Sequence, residues 1–246
     1  MPIAKNFSSI YRKNWDIYFS QCYPNGFLKL PELSNIIQLT ASGHADTGGV
    51  GFADLSPYNQ SWVLNRMRVE IENFPKWNDI VNVKTWIEEL KGFKSNRNFD
   101  IIVDGIKLIG ISTLWAIINT VKRRPEAMQI DTSHVERYPD DHATEISNRK
   151  IDLDFDCDES YECTVQFSDL DIVNHVNNTK YLEWCLNHIN PNLILENKIA
   201  AVDLNFNREL SLNDQFFIEK RTEEKRILFK IRKDSAICFA CALELR

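Results

Sequence analysis

The chain has 246 residues, 43% hydrophobic and 26% charged, with a formal net charge of −6 at pH 7. Only 8 Gly and 8 Pro exclude collagen-like and low-complexity chains and speak against a Gly-rich nucleotide binder. The acidic balance disfavours a general nucleic-acid surface, which shows as a basic domain.

The length falls between one domain and two, and 14 Phe, 7 Tyr and 6 Trp can fill a large core. The opening MPIAKNFSSIYRKNWDIYF has no apolar run long enough for a signal-peptide core. No later segment approaches the ~20 apolar residues of a membrane span. Cys22, Cys157, Cys163, Cys185, Cys238 and Cys241 are scattered and do not form a disulfide framework. The expected location is the cytoplasm. Cys238-Phe-Ala-Cys241 matches CxxC as text, but it sits in a strand-like run and reads as small packed residues rather than a metal site.

In chain order, Ile10 to Ser20 reads as a strand. Residues 30–46 (LPELSNIIQLTASGHAD) read as a helix. Pro31 stands near its start, and apolar Leu33, Ile36, Ile37 and Leu39 recur at mostly helical spacing. Gly48, Gly49 and Gly51 mark a loop. Strands are expected at Trp62 to Glu72, Ile80 to Leu90, Phe93 to Val103 and Ile109 to Val121. The second half repeats the plan. Tyr161 to Phe167 is a strand, and Asn178 to Asn190 is a helix with Tyr181, Leu182, Cys185, Leu186 and Ile189 on one stripe, stopped by Pro191. Strands follow at Ala200 to Glu209, Gln215 to Thr222, Arg226 to Arg232 and Ala236 to Leu245. Strand, helix, then several strands, made twice, is an α+β plan on antiparallel sheet.

Between the halves, Pro125 to Ser160 is polar and acidic. From Pro125 through Asp171 there are fourteen acids and three bases. DLDFDCDE within it lacks the Gly and closing Glu of a calcium loop and reads as solvated linker. Just before it, Lys122, Arg123 and Arg124 form a basic cluster, with Lys94 and Arg97 expected nearby as surface charges. The cluster is either a solubility feature or a landing site for an acidic partner.

The densest polar cluster is SDLDIVNHVNN, Ser168 to Asn178, where a strand ends and a helix begins. Helix capping accounts for one or two of these residues. It does not account for Asp, His and three Asn crowded together. A histidine near its neutral-range pKa, acids and free helix-end N–H groups are the parts for attack on a carbonyl.

DLDIVNHVNNTKYLEW resembles the signature of the acyl-acyl carrier protein (ACP) thioesterases of plants and bacteria, D-x-N-x-H-V-N-N-x-x-Y-x-x-W. WVLNRMRVEIENFPKWNDIVNVKTW and LNFNREL resemble further segments of that family, so the resemblance spans nearly the whole chain. It implies a double hotdog: two antiparallel sheets, each wrapping a central helix, packed as a pseudo-dimer. The implied units are residues 1–124, holding the acyl chain, an acidic linker at 125–160, and a catalytic unit at 161–246.

The implied activity is hydrolysis of fatty acyl-ACP, without a cofactor and without a metal, with ACP as partner and a homodimer as a possible assembly. Asp171 and His175 fall on the motif Asp and His, and Glu209 on the acidic residue of the second-half strand. Val173 stands where the family has Asn, so Asn174, or the helix-end N–H groups with Asn177 or Asn178, would supply that role. Some members carry Cys directly after the strand Glu. Here Leu210 stands there, which rules out a thiol nucleophile at that place; water attack assisted by carboxylate and imidazole is favoured, and direct carboxylate attack through an anhydride stays open. Which group is the base stays open. Trp62, Met67, Trp86 and Trp115 are the candidate acyl-chain contacts, and Lys122, Arg123 and Arg124 the candidate carrier-docking residues. The competing readings are an acyl-CoA or aromatic thioester hydrolase, a hydratase or dehydratase, and a non-catalytic acyl-binding protein.

Overall fold

The computed structural model describes residues 3–246. The elements, in order, are β1 (Ile10–Asp16), α1 (Leu30–Thr47), α2 (Phe52–Leu55), β2 (Gln60–Ile71), β3 (Ile80–Lys91), β4 (Lys94–Val103), β5 (Ile106–Asn119) and β6 (Arg124–Pro125). Then come β7 (Glu159–Thr164), α3 (Asn178–Leu186), α4 (Asn192–Leu195), β8 (Ile199–Phe206), β9 (Gln215–Thr222), β10 (Arg226–Lys233) and β11 (Ala236–Leu245).

All strands join one antiparallel sheet in the order β1-β3-β4-β5-β2-β8-β11-β10-β9-β7, with β6 against β5. The first half contributes β1-β3-β4-β5-β2 and the second the same order reversed, so equivalent strands β2 and β8 meet at the centre. There Arg66 faces Asn205, Arg68 faces Asp203 and Glu70 faces Ala201. The strand–helix–strands plan read from the sequence is the observed one.

α1 starts with Pro31 in its first turn, where no N–H is needed, and Glu32 beside it favours the helix dipole. Leu33, Ile36, Ile37 and Ala41 lie on one face and are buried with α3's Leu182, Cys185 and Leu186 in a single core. Leu39 points the other way and is 47% exposed, against the expected stripe. α1 and α3 pack on each other and on the same face of the sheet.

Several boundaries differ from the sequence reading, β7 among them, which ends at Thr164 and leaves Phe167 in a 3₁₀ turn. β1 ends at Asp16, and Ser20 lies in a 3₁₀ turn, Phe19–Gln21. α3 stops at Leu186, with Asn187 and His188 closing a turn back to Glu183 and Cys185. β8 stops at Phe206, so Glu209 belongs to a loop and not to the strand.

The acidic segment is not a free, solvated linker. It runs over the sheet face opposite the helices as a strap. The Trp86 indole donates to Asp141 O (2.8 Å), Ala143 N to Asn98 Oδ1 (3.3 Å) and Ile151 N to Asn205 Oδ1 (2.9 Å). Ile151 and Phe155 pack over Leu228, Ala240 and Ala242. Gly110 on β5 permits this approach. A Cβ there would sit 1.9 Å from Ala143 O. The strap's acids face outward for hydration while its few apolar side chains anchor it, which is how a segment with eleven acids and three bases remains bound.

Where the halves join, Arg68 is 3% exposed and is held by three acids. Its guanidinium meets Glu70 and Asp203 at 2.9 Å and Glu244 at 3.2 Å. The strap adds Arg149, which bonds Asp203 and Glu244. Each buried charge here therefore has a counter-charge and hydrogen bonds.

Candidate active site

The motif turn is built by its backbone. Asp171 N donates to His175 O (2.8 Å), while its carboxylate accepts from Val173 N (3.0 Å) and His175 N (3.2 Å). Asn174 takes φ of 65°, a left-handed conformation that Asn tolerates better than most residues. Asn177 caps α3: its Oδ1 accepts from Thr179 N (3.0 Å) and Thr179 Oγ1 (2.8 Å). The turn thus uses Asp171 and Asn177 to hold its own shape. Among the described residues, Asp171, Asn174 and Asn177 make no hydrogen bond to the His175 ring.

The loop after β8 is sewn to this turn. Val176 N donates to Leu210 O and Leu210 N donates to the Tyr181 hydroxyl, both at 3.0 Å. That stitching carries Glu209 to His175, with Glu209 Oε2 3.5 Å from His175 Nε2. Both side chains are about one-third exposed, so substrate and water can reach them. The same Glu209 oxygen bonds Arg123 Nη2 from the turn after β5. Of the sequence-predicted catalytic residues, the structure brings together His175 and Glu209. It adds Arg123, a candidate carrier-docking residue in the sequence. Leu210 is fully buried, and burial pushes the Cys185 thiol well above its usual range, so neither position supplies a thiolate.

The first half holds the same turn without the histidine. Its 3₁₀ turn Phe19–Gln21, bridge Cys22–Leu28, left-handed Gly26 and helix cap Lys29 match Phe167–Asp169, Leu170–Val176, Asn174 and Asn177 at a constant offset (19 to 167, 26 to 174). His175 corresponds to Phe27.

A cavity of about 260 Å³ lies between α1 and the first-half strands. Gln38, Ala41, Ser42 and Ala45 of α1 form one wall, and Ser61, Trp62, Ser95, Arg97 and Trp115 the sheet wall. Trp62 and Trp115, two of the candidate acyl-chain contacts, are among its wall residues. Met67 is not; it is 2% exposed in the main core. Trp86 is on the opposite face, sealed under the strap. Even numbering on β3 sends Trp86 outward while Val83 and Thr85 face the core side. Gln38 joins cavity to motif. Its Oε1 accepts from Asn178 Nδ2 at 3.1 Å, in the first turn of α3.

Arg97 is 7% exposed and is not a surface charge of the basic cluster. Its Nη1 donates to His44 Nδ1 at 2.8 Å and to Thr85 Oγ1 at 3.2 Å. Burial, helped by the Arg97 charge, pushes the His44 pKa down to about 3. The sign follows from linkage. Above pH 6.5 both folded and unfolded chains carry neutral His44. As pH falls below 6.5 the unfolded chain binds a proton that the folded chain refuses until about pH 3. Between pH 7 and pH 5 the protein should lose about 2 kcal/mol of unfolding free energy through this group. Urea titrations of wild type and His44→Gln at both pH values check it: the variant should show a loss smaller by that amount, and equal losses would refute it.

Family models described as the acyl-ACP thioesterase N-terminal domain and the acyl-ACP thioesterase C-terminal domain match residues 8–135 and 154–238. The chloroplastic palmitoyl-acyl carrier protein thioesterase of Arabidopsis thaliana is 28% identical over 218 residues, covering 81% of this chain and 52% of that protein. The chain spans about half the length of the curated relatives it matches. Two solved structures share the fold over 97% of this chain and 98% of theirs. An acyl-ACP thioesterase from Bacteroides thetaiotaomicron has a TM-score of 0.87 at 24% identity, and the 12:0-ACP thioesterase from Umbellularia californica has 0.82 at 21%. Among the described residues no helix is long and apolar enough to cross a membrane.

Proposed function

The chain belongs to the acyl-ACP thioesterase family, and from that premise we propose that it hydrolyses fatty acyl-ACP to free fatty acid and ACP. The observation that carries this reading is the meeting of His175 and Glu209 at the turn leading into α3, whose first residue, Asn178, bonds Gln38 of the cavity wall. We read the two halves as tandem hotdog units: residues 1–124 hold the acyl chain, 125–160 form the strap, and 161–246 supply the chemistry.

In this reading a water is held between Glu209 and His175. One of them takes its proton as the water oxygen bonds the thioester carbon. The tetrahedral intermediate then collapses, the carbon–sulfur bond breaks, and the proton passes to the departing thiol. Thr179 and Lys180 N–H groups are occupied by Asn177. The Asn178 backbone N–H donates to no described residue and stands at the N-terminal end of α3, where a developing oxyanion is favoured.

Arg123 places the basic turn Lys122–Arg124 against Glu209. A carrier docking on that turn would deliver its thioester arm to the dyad, and ACP is acidic, which suits those side chains. All six cysteines are unpaired, which fits a reducing compartment such as the cytoplasm.

Acyl-ACPs of graded chain length, with matched acyl-CoAs in parallel, test the proposal. Free acid and free thiol should appear from acyl-ACP with a higher kcat/KM than from acyl-CoA. A reversed preference would transfer the activity to acyl-CoA, and no release from any thioester would sink the hydrolase reading.

A further inference from the structure

We propose that Arg123 is a specificity-determining residue: it occupies the Glu209 oxygen of the dyad until an acidic carrier engages it, so the site favours carrier-borne thioesters over bare ones. This deepens the thioesterase reading and rests on it. The observation is that one oxygen has two partners. Glu209 Oε2 lies 3.5 Å from His175 Nε2 and also accepts from Arg123 Nη2. A water bridging Glu209 and His175 needs that oxygen as an acceptor. While the guanidinium holds it, one of its lone pairs is committed elsewhere.

The turn that presents Arg123 is built without help from Glu209. Asn119 is buried at the end of β5. Its Oδ1 accepts from Val121 N (3.1 Å) and Lys122 N (2.8 Å), and its carbonyl accepts from Arg123 N (2.8 Å). Its Nδ2 donates to Glu126 Oε2 (3.0 Å), which also accepts from Gln60 Nε2 (3.1 Å). Lys122 is tied to Glu126 as well, at 2.9 Å. Arg123 itself takes φ of 54°, an uncommon conformation for a residue with a long side chain. Within this rigid turn, the Lys122 charge is paired locally, whereas the Arg123 charge is directed at the dyad.

The contact is suited to release. Arg123 is 58% exposed and Glu209 is partly exposed, and ion pairs in such surroundings are weak. Arg123 Nε and Nη1 donate to no described residue, so an incoming carboxylate finds donors before the Glu209 contact breaks. Among the described residues Glu209 is the only acid that Arg123 bonds, so the competing acid comes from outside the chain. ACP is acidic, and a carrier seated on Lys122–Arg124 would draw the guanidinium to itself as its thioester arm arrives. Glu209 is then free to hold the water at the moment a substrate is present.

The test uses the full chain and a bare thioester, an acyl N-acetylcysteamine, with apo-ACP, which lacks the thioester arm, added in trans. Saturating apo-ACP should raise wild-type kcat on the bare thioester about 5-fold, the scale that an exposed ion pair can hold back, with KM little changed. The rise should vanish at about 1 M salt, where the screening length is ~3 Å. Arg123→Gln should start at the raised rate without apo-ACP, gain nothing from it, and show a higher KM for acyl-ACP. Arg123→Lys, which keeps a charge at the site, should remain carrier-dependent. If apo-ACP leaves wild type unchanged, or still stimulates Arg123→Gln, the inference fails and the thioesterase reading stands. If Arg123→Gln is slower than wild type on the bare thioester, Arg123 positions Glu209 instead of occupying it, and the inference fails likewise. Equal stimulation by adenosine 3′,5′-bisphosphate overturns the carrier assignment in favour of CoA. If no thioester is cleaved, bare or carrier-borne, the thioesterase reading fails and this inference with it. The wild-type response decides even if Arg123→Gln does not fold.

Discussion

Replacing Glu209 by Gln should lower acyl-ACP hydrolysis at least ~100-fold with the fold intact, and His175→Ala should do the same. Glu209 sits on a loop stitched to the motif turn by backbone hydrogen bonds and by the Tyr181 hydroxyl, none of which involves its side chain. The Gln variant keeps size and loop, and removes only the charge and the proton-accepting oxygen. His175 likewise bonds the turn through its backbone N–H and carbonyl, so truncating the ring spares the turn. The two groups meet at one oxygen, so they act as a unit and the double variant should be little worse than either single one. Thiol release under steady state, with circular dichroism to verify folding, reads the result. Near-normal turnover in either single variant removes that residue from the catalytic set.

The second large effect is on stability. Arg68→Met should cost about 3–5 kcal/mol, because Asp203, 1% exposed, would be left buried with only the half-exposed Arg149. Asp203→Leu should cost a similar amount by stranding Arg68. The double variant should recover part of the loss, since an apolar pair of similar volume needs no desolvation of charge. Denaturant titrations of the four proteins give the coupling energy. Strictly additive losses would show that the two side chains do not stabilise each other across the β2–β8 seam.

The architecture was legible because periodicity reports which face is buried. Leu33, Ile36 and Ile37, and the alternation along β2 and β3, marked α1 and the strands directly. What was not legible depends on neighbours distant in sequence. Trp86 looks like any large apolar side chain suited to a ligand wall, and only the strap lying on the outer face shows that it is covered. Arg97 looked like a surface charge near Lys94, since sequence carries no sign that β4 turns it inward to His44. Glu209 was recognised by its place after LNFN, but the end of β8 at Phe206 was missed because the apolar pattern gives element ends poorly. The motif asparagines were read for chemistry, while Asn177 caps α3, as a polar residue before a helix commonly does. Arg123 meets Glu209 from 86 positions away, a separation at which no local pattern exists.

The equivalence of Phe27 and His175 has a consequence for how such a protein can evolve. In a symmetric pair of identical chains, every substitution occurs twice, and a change that improves the histidine turn of one copy also alters the cavity side of the other. Here the two copies are one polypeptide joined through β2 and β8. A mutation in the first copy leaves the second untouched. On the proposed division of labour, the cavity wall and the histidine turn can therefore vary independently, so chain selectivity can drift while the cleavage chemistry is conserved.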